Sequence, residues 1–159
     1  LTKKVKLLDL KKSEKRIKTA IKASKENNNI LIFARTDALS VGSIKESIKR
    51  AKMFKKLGAH AIFITGINTL REIKFIKQKL KRIPLIINIT QDIKFNISDI
   101  KKSDFKLILY SQQLLNSYID TVNATLKLIK NNKNPKFKNK ASDTLSLLNF
   151  KKYLSIENN

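Results

Sequence analysis

Between residues 30 and 131 the chain repeats one pattern four times. A short, almost wholly apolar run is followed by a lysine-rich stretch whose apolar residues recur at helical spacing. The runs are ILIFA (30–34), HAIFI (60–64), PLIINI (84–89) and FKLILY (105–110). Runs this short, without polar alternation, read as strands covered on both faces. The stretches between them read as helices with one apolar stripe. Ile44, Ile48, Ala51 and Leu57 form such a stripe, with Ser43 as a cap and Gly58 as a stop. Leu70, Ile73, Ile76 and Leu80 form the next. NISDIKKS is a short helix, and SQQLLNSYIDTVNATLKLIKN a long one. A helix also precedes the first strand, with Leu10, Ile17, Ala20, Ile21 and Ala23 on its stripe.

Regular strand–helix alternation requires parallel strands joined by right-handed crossovers. Four parallel strands are therefore expected at 30–34, 60–64, 84–88 and 105–110. Two architectures accommodate them: an open sheet, or half of an eight-stranded barrel. A whole (β/α)8 barrel needs about 250 residues, and the chain has 159. As half of a barrel it would leave an inner face and two sheet edges uncovered. The expected organisation is a partial barrel over 1–130, a polar linker over 131–140 and a helical tail over 141–159. The first residue is Leu, which points to a non-standard start or to a chain cut from something longer.

Charge narrows the partners. Lys and Arg number 35 against 12 Asp and Glu, for a formal net charge of +23. Such an excess can mark a nucleic-acid surface. Here the lysines are scattered over the solvent sides of the helices, with no arginine-rich block or aromatic RNA-binding strand. Compositional drift accounts for them better, and no nucleic-acid partner is expected. Cysteine is absent, which removes thiolate chemistry and disulfides together. No apolar run reaches membrane-spanning length. The expected location is the cytoplasm, with no membrane partner.

In parallel α/β folds the chemistry lies beyond the C-terminal ends of the strands. Those ends read Arg35-Thr36-Asp37, Thr65-Gly66, Asn88-Ile89-Thr90-Gln91-Asp92 and Tyr110-Ser111. Arg35 can fork onto a carboxylate or phosphate. Asn88 and Thr90, two apart, can reach the same ligand, and Asp37 can orient Arg35 or hold a metal through water. An alternative stays open: Arg35 and Asp37 as a structural pair, with Asn88 capping loop backbone. With only 3 Gly, there is no glycine-rich phosphate loop. His60, the single histidine, begins a strand and so belongs to the opposite rim, as a structural residue.

ARTDAL on a strand, then ESIKRAKMFKKLGAHAIFI, then PLIINIT, together resemble the isocitrate lyase/phosphoenolpyruvate mutase superfamily, and within it the 2-methylisocitrate lyases. The pattern there is ARTDA, ERAxxYxxAGADxIFxE and PLxxNxTE. FKLILYSQQLL is similar to the VxYPxxxL segment that follows. The likeness covers most of residues 10–130. It implies the C-terminal half of a (β/α)8 TIM barrel: an α/β fold of four parallel βα units plus C-terminal helices, the last of them often exchanged between subunits. It also implies lyase chemistry on small carboxylic acids with Mg2+. The 2-methylisocitrate lyases cleave their substrate to pyruvate and succinate in propionate catabolism.

By the same resemblance, Arg35, Asn88 and Thr90 contact substrate, with Thr36 and Asp37 supporting them from behind. The catalytic KKCGH loop and the Mg2+-binding acids precede the matched segment, and LTKKVKLLDL is similar to the stretch just after that loop. No catalytic residue and no metal ligand is therefore expected in this chain, nor Mg2+ binding by the chain alone. The matched part also departs from the pattern. Thr65 stands for the glutamate after the second strand, Gln91 for the glutamate of NxTE, and Ser111 for a proline. Ile93, Lys94 and Asn96 replace a small, tight loop. Three readings follow: a truncated lyase-like protein inactive alone, one chain of a split lyase whose N-terminal half is a separate chain, or a basic non-catalytic binding module; an N-terminal half chain or a homo-oligomer is the partner expected.

Overall fold

Four short strands carry the architecture of the computed structural model, which describes residues 6–26 and 30–138 together with Asp143 and Ser146. They are β1 (Phe33–Thr36), β2 (Ala61–Ile64), β3 (Leu85–Ile89) and β4 (Leu107–Tyr110). All pairings are parallel, and the sheet order is β1-β2-β3-β4. Helix α1 (Leu10–Glu26) precedes the sheet, and α2 (Ile44–Lys56), α3 (Leu70–Lys79) and α4 (Ile97–Lys102) connect the strands. This is the arrangement of half of a (β/α)8 barrel. The chain divides into two units between Gln113 and Leu114, so α5 (Gln113–Lys130) belongs almost entirely to the second. No residue of α5 is buried. The expected tail at 141–159 lies outside the described residues but for Asp143 and Ser146.

Local chemistry sets the helix ends. The Ser43 hydroxyl accepts from the Glu46 N–H at 3.1 Å, and Thr69 and Glu72 form a reciprocal capping box. Helix α2 stops at Gly58, whose φ of +102° is open to glycine at no steric cost. Its N–H bonds the Lys55 carbonyl and the next N–H bonds that of Phe54.

One face of the sheet makes the core. Ala34, Ile62, Ile64, Leu85, Ile87 and Ile89 pack against Ile48, Ala51, Phe54, Ile73, Ile76, Leu80 and Ile100 from the helices. The expected stripes of α2 and α3 are thus the buried ones. On α1 the face is rotated: Ala23 is exposed, while Ser13 and Ser24 are buried. Both serines have partners that make burial tolerable, the Arg50 guanidinium and the Ile30 carbonyl.

Strand β1 runs later than the expected 30–34. Ile30 and Leu31 are 60% and 62% exposed, and pairing starts at Phe33 opposite Ala61. It continues to Arg35 opposite Phe63 and Thr36 opposite Ile64. The apolar run thus overestimates the strand at one end. At the other, ladder hydrogen bonds with β2 carry two polar residues into the sheet.

The opposite face of the sheet is open. Phe33 and Leu107, on the two edge strands, are 47% and 39% exposed. In a closed barrel these positions would lie in the packed interior.

Candidate functional site

Because all strands are parallel, their C-terminal ends share one rim. Arg35 pairs with Phe63, Phe63 with Ile86, and Asn88 with Leu109, so their side chains project from the open face. With the loops beyond, they line an open cleft of 420 Å³ that includes Arg35, Asp37, Thr65, Gly66, Asn88, Thr90, Asp92 and Ser111. Thr36 points the other way. It is buried, and its hydroxyl oxygen accepts from the Ala38 N–H at 3.3 Å.

Arg35 is fixed from two sides. Its Nε donates to Asp37 Oδ1 at 2.8 Å, and its guanidinium carbon lies 5.5 Å from the centre of the Phe63 ring. Neither Nη carries a partner among the described residues. The Thr65 hydroxyl donates to the same Asp37 oxygen at 2.6 Å and lies 3.1 Å from Ser40 Oγ. On the far side of the cleft, the Ser111 hydroxyl donates to Asn88 Oδ1 at 2.9 Å. That ties the exits of β3 and β4 and fixes the Asn88 amide so that Nδ2 remains a free donor. Gln113 Nε2 donates to the Ile89 carbonyl at 2.7 Å beside it.

Gly66 is required by the loop. Its φ is +82°, and a Cβ there would meet Ser40 Oγ at 2.6 Å and Ser40 backbone at 3.0 Å. The loop after β3 is held to the loop after β2, since the Lys94 N–H donates to the Asn68 carbonyl at 2.7 Å.

Partial burial raises the Asp37 pKa. The hydrogen bonds from Thr65 and Arg35, with the positive charge of Arg35, outweigh that and hold it below the usual aspartate value. A depressed folded pKa stabilises the fold in full above the unfolded value and stops doing so as pH falls through the folded one. Asp37→Asn is therefore expected to be less stable than wild type at neutral pH. The gap should close below about pH 4. Urea unfolding at several pH values checks this, and a pH-independent gap would contradict it.

His60 stands at the opposite rim. Its Nδ1 accepts from the Ile32 N–H at 2.9 Å, while its own N–H donates to the Ile32 carbonyl at 2.9 Å. It closes the start of β1 onto β2 and has no place in the cleft. The carboxylates that reach the cleft are Asp37, held by Arg35 and Thr65, and Asp92. No group of three His, Cys, Asp or Glu side chains able to hold a metal occurs among the described residues. Asp37 is already neutralised by the Arg35 cation beside it and bonded by Thr65, so these two carboxylates do not fit a Mg2+ ion. Exposed lysines occur on all of α1, α2 and α3, Lys11, Lys22, Lys49, Lys56, Lys74 and Lys79 among them.

Sequence reasoning missed several residues here. Phe63 and Leu109 were legible as strand positions on the open face, but as apolar residues they carried no functional signal. Ser40 and Asn68 come from loops whose path no pattern specifies. Arg50 carried no reading of its own in the sequence. Its flanking by Ile48 and Ala51 on the apolar stripe was the available clue.

A family model described as phosphoenolpyruvate phosphomutase matches residues 2–130. The chain belongs to the phosphoenolpyruvate phosphomutase family. Within this superfamily it is 33% identical over 98 residues to a 2-methylisocitrate lyase of Shewanella oneidensis, an alignment covering 60% of this chain and 33% of that protein. A crystal structure of 2,3-dimethylmalate lyase, described as a PEP mutase/isocitrate lyase superfamily member, superposes with a TM-score of 0.83 at 21% identity. It covers 98% of this chain and 57% of that one. Oxaloacetate acetylhydrolase in complex with its product oxalate gives 0.85 at 17% identity, over 96% and 55%. The chain thus spans a third to just over half the length of these relatives, and at such identities the structural likeness establishes the fold alone. Among the described residues no helix is long and apolar enough to cross a membrane.

Proposed function

We propose that the cleft is the carboxylate-gripping part of a carbon–carbon lyase site of the 2-methylisocitrate lyase type. One observation carries this reading. Arg35 is braced by Asp37 and Phe63 with both Nη groups unused, in the same cleft as Asn88 and Thr90. A guanidinium held by its Nε presents a two-pronged donor matched to a carboxylate. The Asn88 amide and the Thr90 hydroxyl would meet further oxygens of a small hydroxy or oxo acid. Asp37 supports Arg35 directly, and Thr36, on the other side of the strand, supports it through the Ala38 N–H of the loop that follows. The 2-methylisocitrate lyase relative and the oxalate held by oxaloacetate acetylhydrolase agree with this ligand class.

On this reading the residues present bind but do not cleave. The family reaction would yield pyruvate and succinate from 2-methylisocitrate, as part of propionate catabolism in the cytoplasm. It needs a group that moves a proton at the breaking bond and a means of stabilising the enolate formed. The chain has no cysteine. Mg2+, the family's expected metal, would supply that stabilisation when bound, and Asp37 and Asp92 do not make a site for it. The open sheet face with its exposed Phe33 and Leu107 favours a second reading. In it, the four βα units work together with complementary units in the same or another chain.

Oxalate serves as the test ligand. Titration of the 159-residue chain is expected to show saturable binding that Arg35→Ala weakens about 10- to 100-fold, the range for a charge-assisted pair of hydrogen bonds. Equal affinity of wild type and Arg35→Ala would remove the reading.

A further inference from the structure

Arg50 lies on the core side of α2 and is 6% exposed. A buried guanidinium is tolerated only where its donors are met, and here they are spread over three separate elements. Nε donates to Glu46 Oε1 at 2.8 Å on its own helix. One Nη donates to Ser13 Oγ of α1 at 3.0 Å, and the other to the backbone carbonyl of Leu8 at 2.6 Å. The last bond reaches the segment ahead of α1, 42 residues away in sequence.

That segment has a place beside the cleft. Lys6, Leu7 and Leu8 form one wall of a second cavity, of 160 Å³. Arg35, Thr36 and Asp37 line the same cavity, with Arg50 and Phe54. The exit of β1 therefore has the ligand cleft on one side and this cavity on the other. Asp37, only 30% exposed at its side chain, owes its shelter partly to that surrounding. A lysine at 50 would keep the charge, but its single ammonium on a flexible stem does not reproduce a planar fork reaching a carboxylate, a hydroxyl and a carbonyl together.

We infer that Arg50 is a positioning residue for the Arg35–Asp37 pair, acting through the Leu8 carbonyl to hold residues 6–8 as the wall behind it. Its effect on ligand binding rests on the carboxylate reading of the cleft. Its effect on the pair does not. Loss of the fork frees the segment, removes one wall of the cavity and loosens the β1 exit, while the middle of the sheet is left as it was.

The test is hydrogen–deuterium exchange of the 159-residue chain as wild type and as Arg50→Lys, with oxalate titration alongside. Exchange is expected to rise about tenfold in peptides covering 6–13 and 33–42, and to stay within about twofold over 85–89. Oxalate affinity is expected to fall about fivefold although Arg35, Asn88 and Thr90 are untouched. Should Arg50→Lys not fold, Glu46→Gln keeps the guanidinium but weakens its anchor, and a smaller rise in the same two peptides is expected. A rise confined to α2, or an equal rise over 85–89, would overturn the inference by reducing Arg50 to a general structural residue. So would exchange over 33–42 that does not move. If wild type binds no oxalate, the carboxylate reading fails, and exchange over 33–42 still decides the role of Arg50.

Discussion

Purified as the 159-residue chain and supplied with saturating Mg2+, the protein is expected to release no pyruvate from 2-methylisocitrate above the uncatalysed rate. Lyases of this kind owe their acceleration to proton transfer at the breaking bond and to electrostatic stabilisation of the enolate. Proton transfer alone is worth about 10²- to 10⁴-fold, and electrostatic stabilisation is usually the largest single contribution. The cleft supplies neither. His60 is engaged with Ile32 at the opposite rim, and Asp37 is engaged by Arg35 and Thr65. What remains is a grip on one carboxylate, which lowers ground state and transition state alike and leaves the chemical step unaided. Coupled detection of pyruvate, with and without an added polypeptide carrying complementary βα units, checks the claim. Release by this chain alone, abolished in Arg35→Ala, would show the cleft to be a complete active site.

Ile87→Ala is expected to unfold the isolated chain at 25 °C. Ile87 is fully buried in the middle of the core face, where truncation of an isoleucine to alanine costs about 2–5 kcal/mol. Ordinary domains have about 5–15 kcal/mol in hand. This one starts lower, because one face of its four-stranded sheet is open and, among the described residues, both edge strands lack a partner on one side. For the same reason the wild-type melt is expected to be broad and to sharpen with protein concentration, as copies cover one another's open faces. Circular dichroism melts over a hundredfold concentration range check both. A sharp, concentration-independent transition in wild type, with Ile87→Ala still folded, would contradict the low margin.

The fold was legible because buried parallel strands and amphipathic helices leave opposite imprints, apolar runs against 3.6-residue stripes, and the chain alternates them without interruption. The order of strands was not legible from that alternation, which suits an open sheet as well as half of a barrel; the family resemblance pointed to the half barrel. Strand ends were less legible. An apolar run marks where burial is possible, whereas the ladder marks where hydrogen bonds form, and at β1 the two differ by about three residues at the start. Much of the rim was visible as polar residues at strand ends, Arg35, Thr65, Asn88, Thr90 and Ser111 among them. Their connections were not: that Thr65 and Arg35 share one oxygen of Asp37, or that Ser111 holds Asn88, depends on side-chain geometry across neighbouring strands. Arg50 was hidden for a related reason. A buried arginine and a surface arginine are the same letter, and only its three acceptors, two of them on α1 and the segment ahead of it, distinguish them.

In this sheet each strand pairs with the one made just before it. Such an order brings the sheet contacts between neighbours in the chain, which favours fast formation and lets assembly advance from one end. During synthesis β2 can join β1 once α2 has folded back, long before β4 exists, and no strand has to be inserted between two already paired. The price is borne at the leading edge. At every stage the newest strand exposes an unpaired row of N–H and C=O groups, and at β4 no described residue pairs with that row. Until something caps it, the β4 edge is where a nascent chain would seize a neighbour on the same messenger.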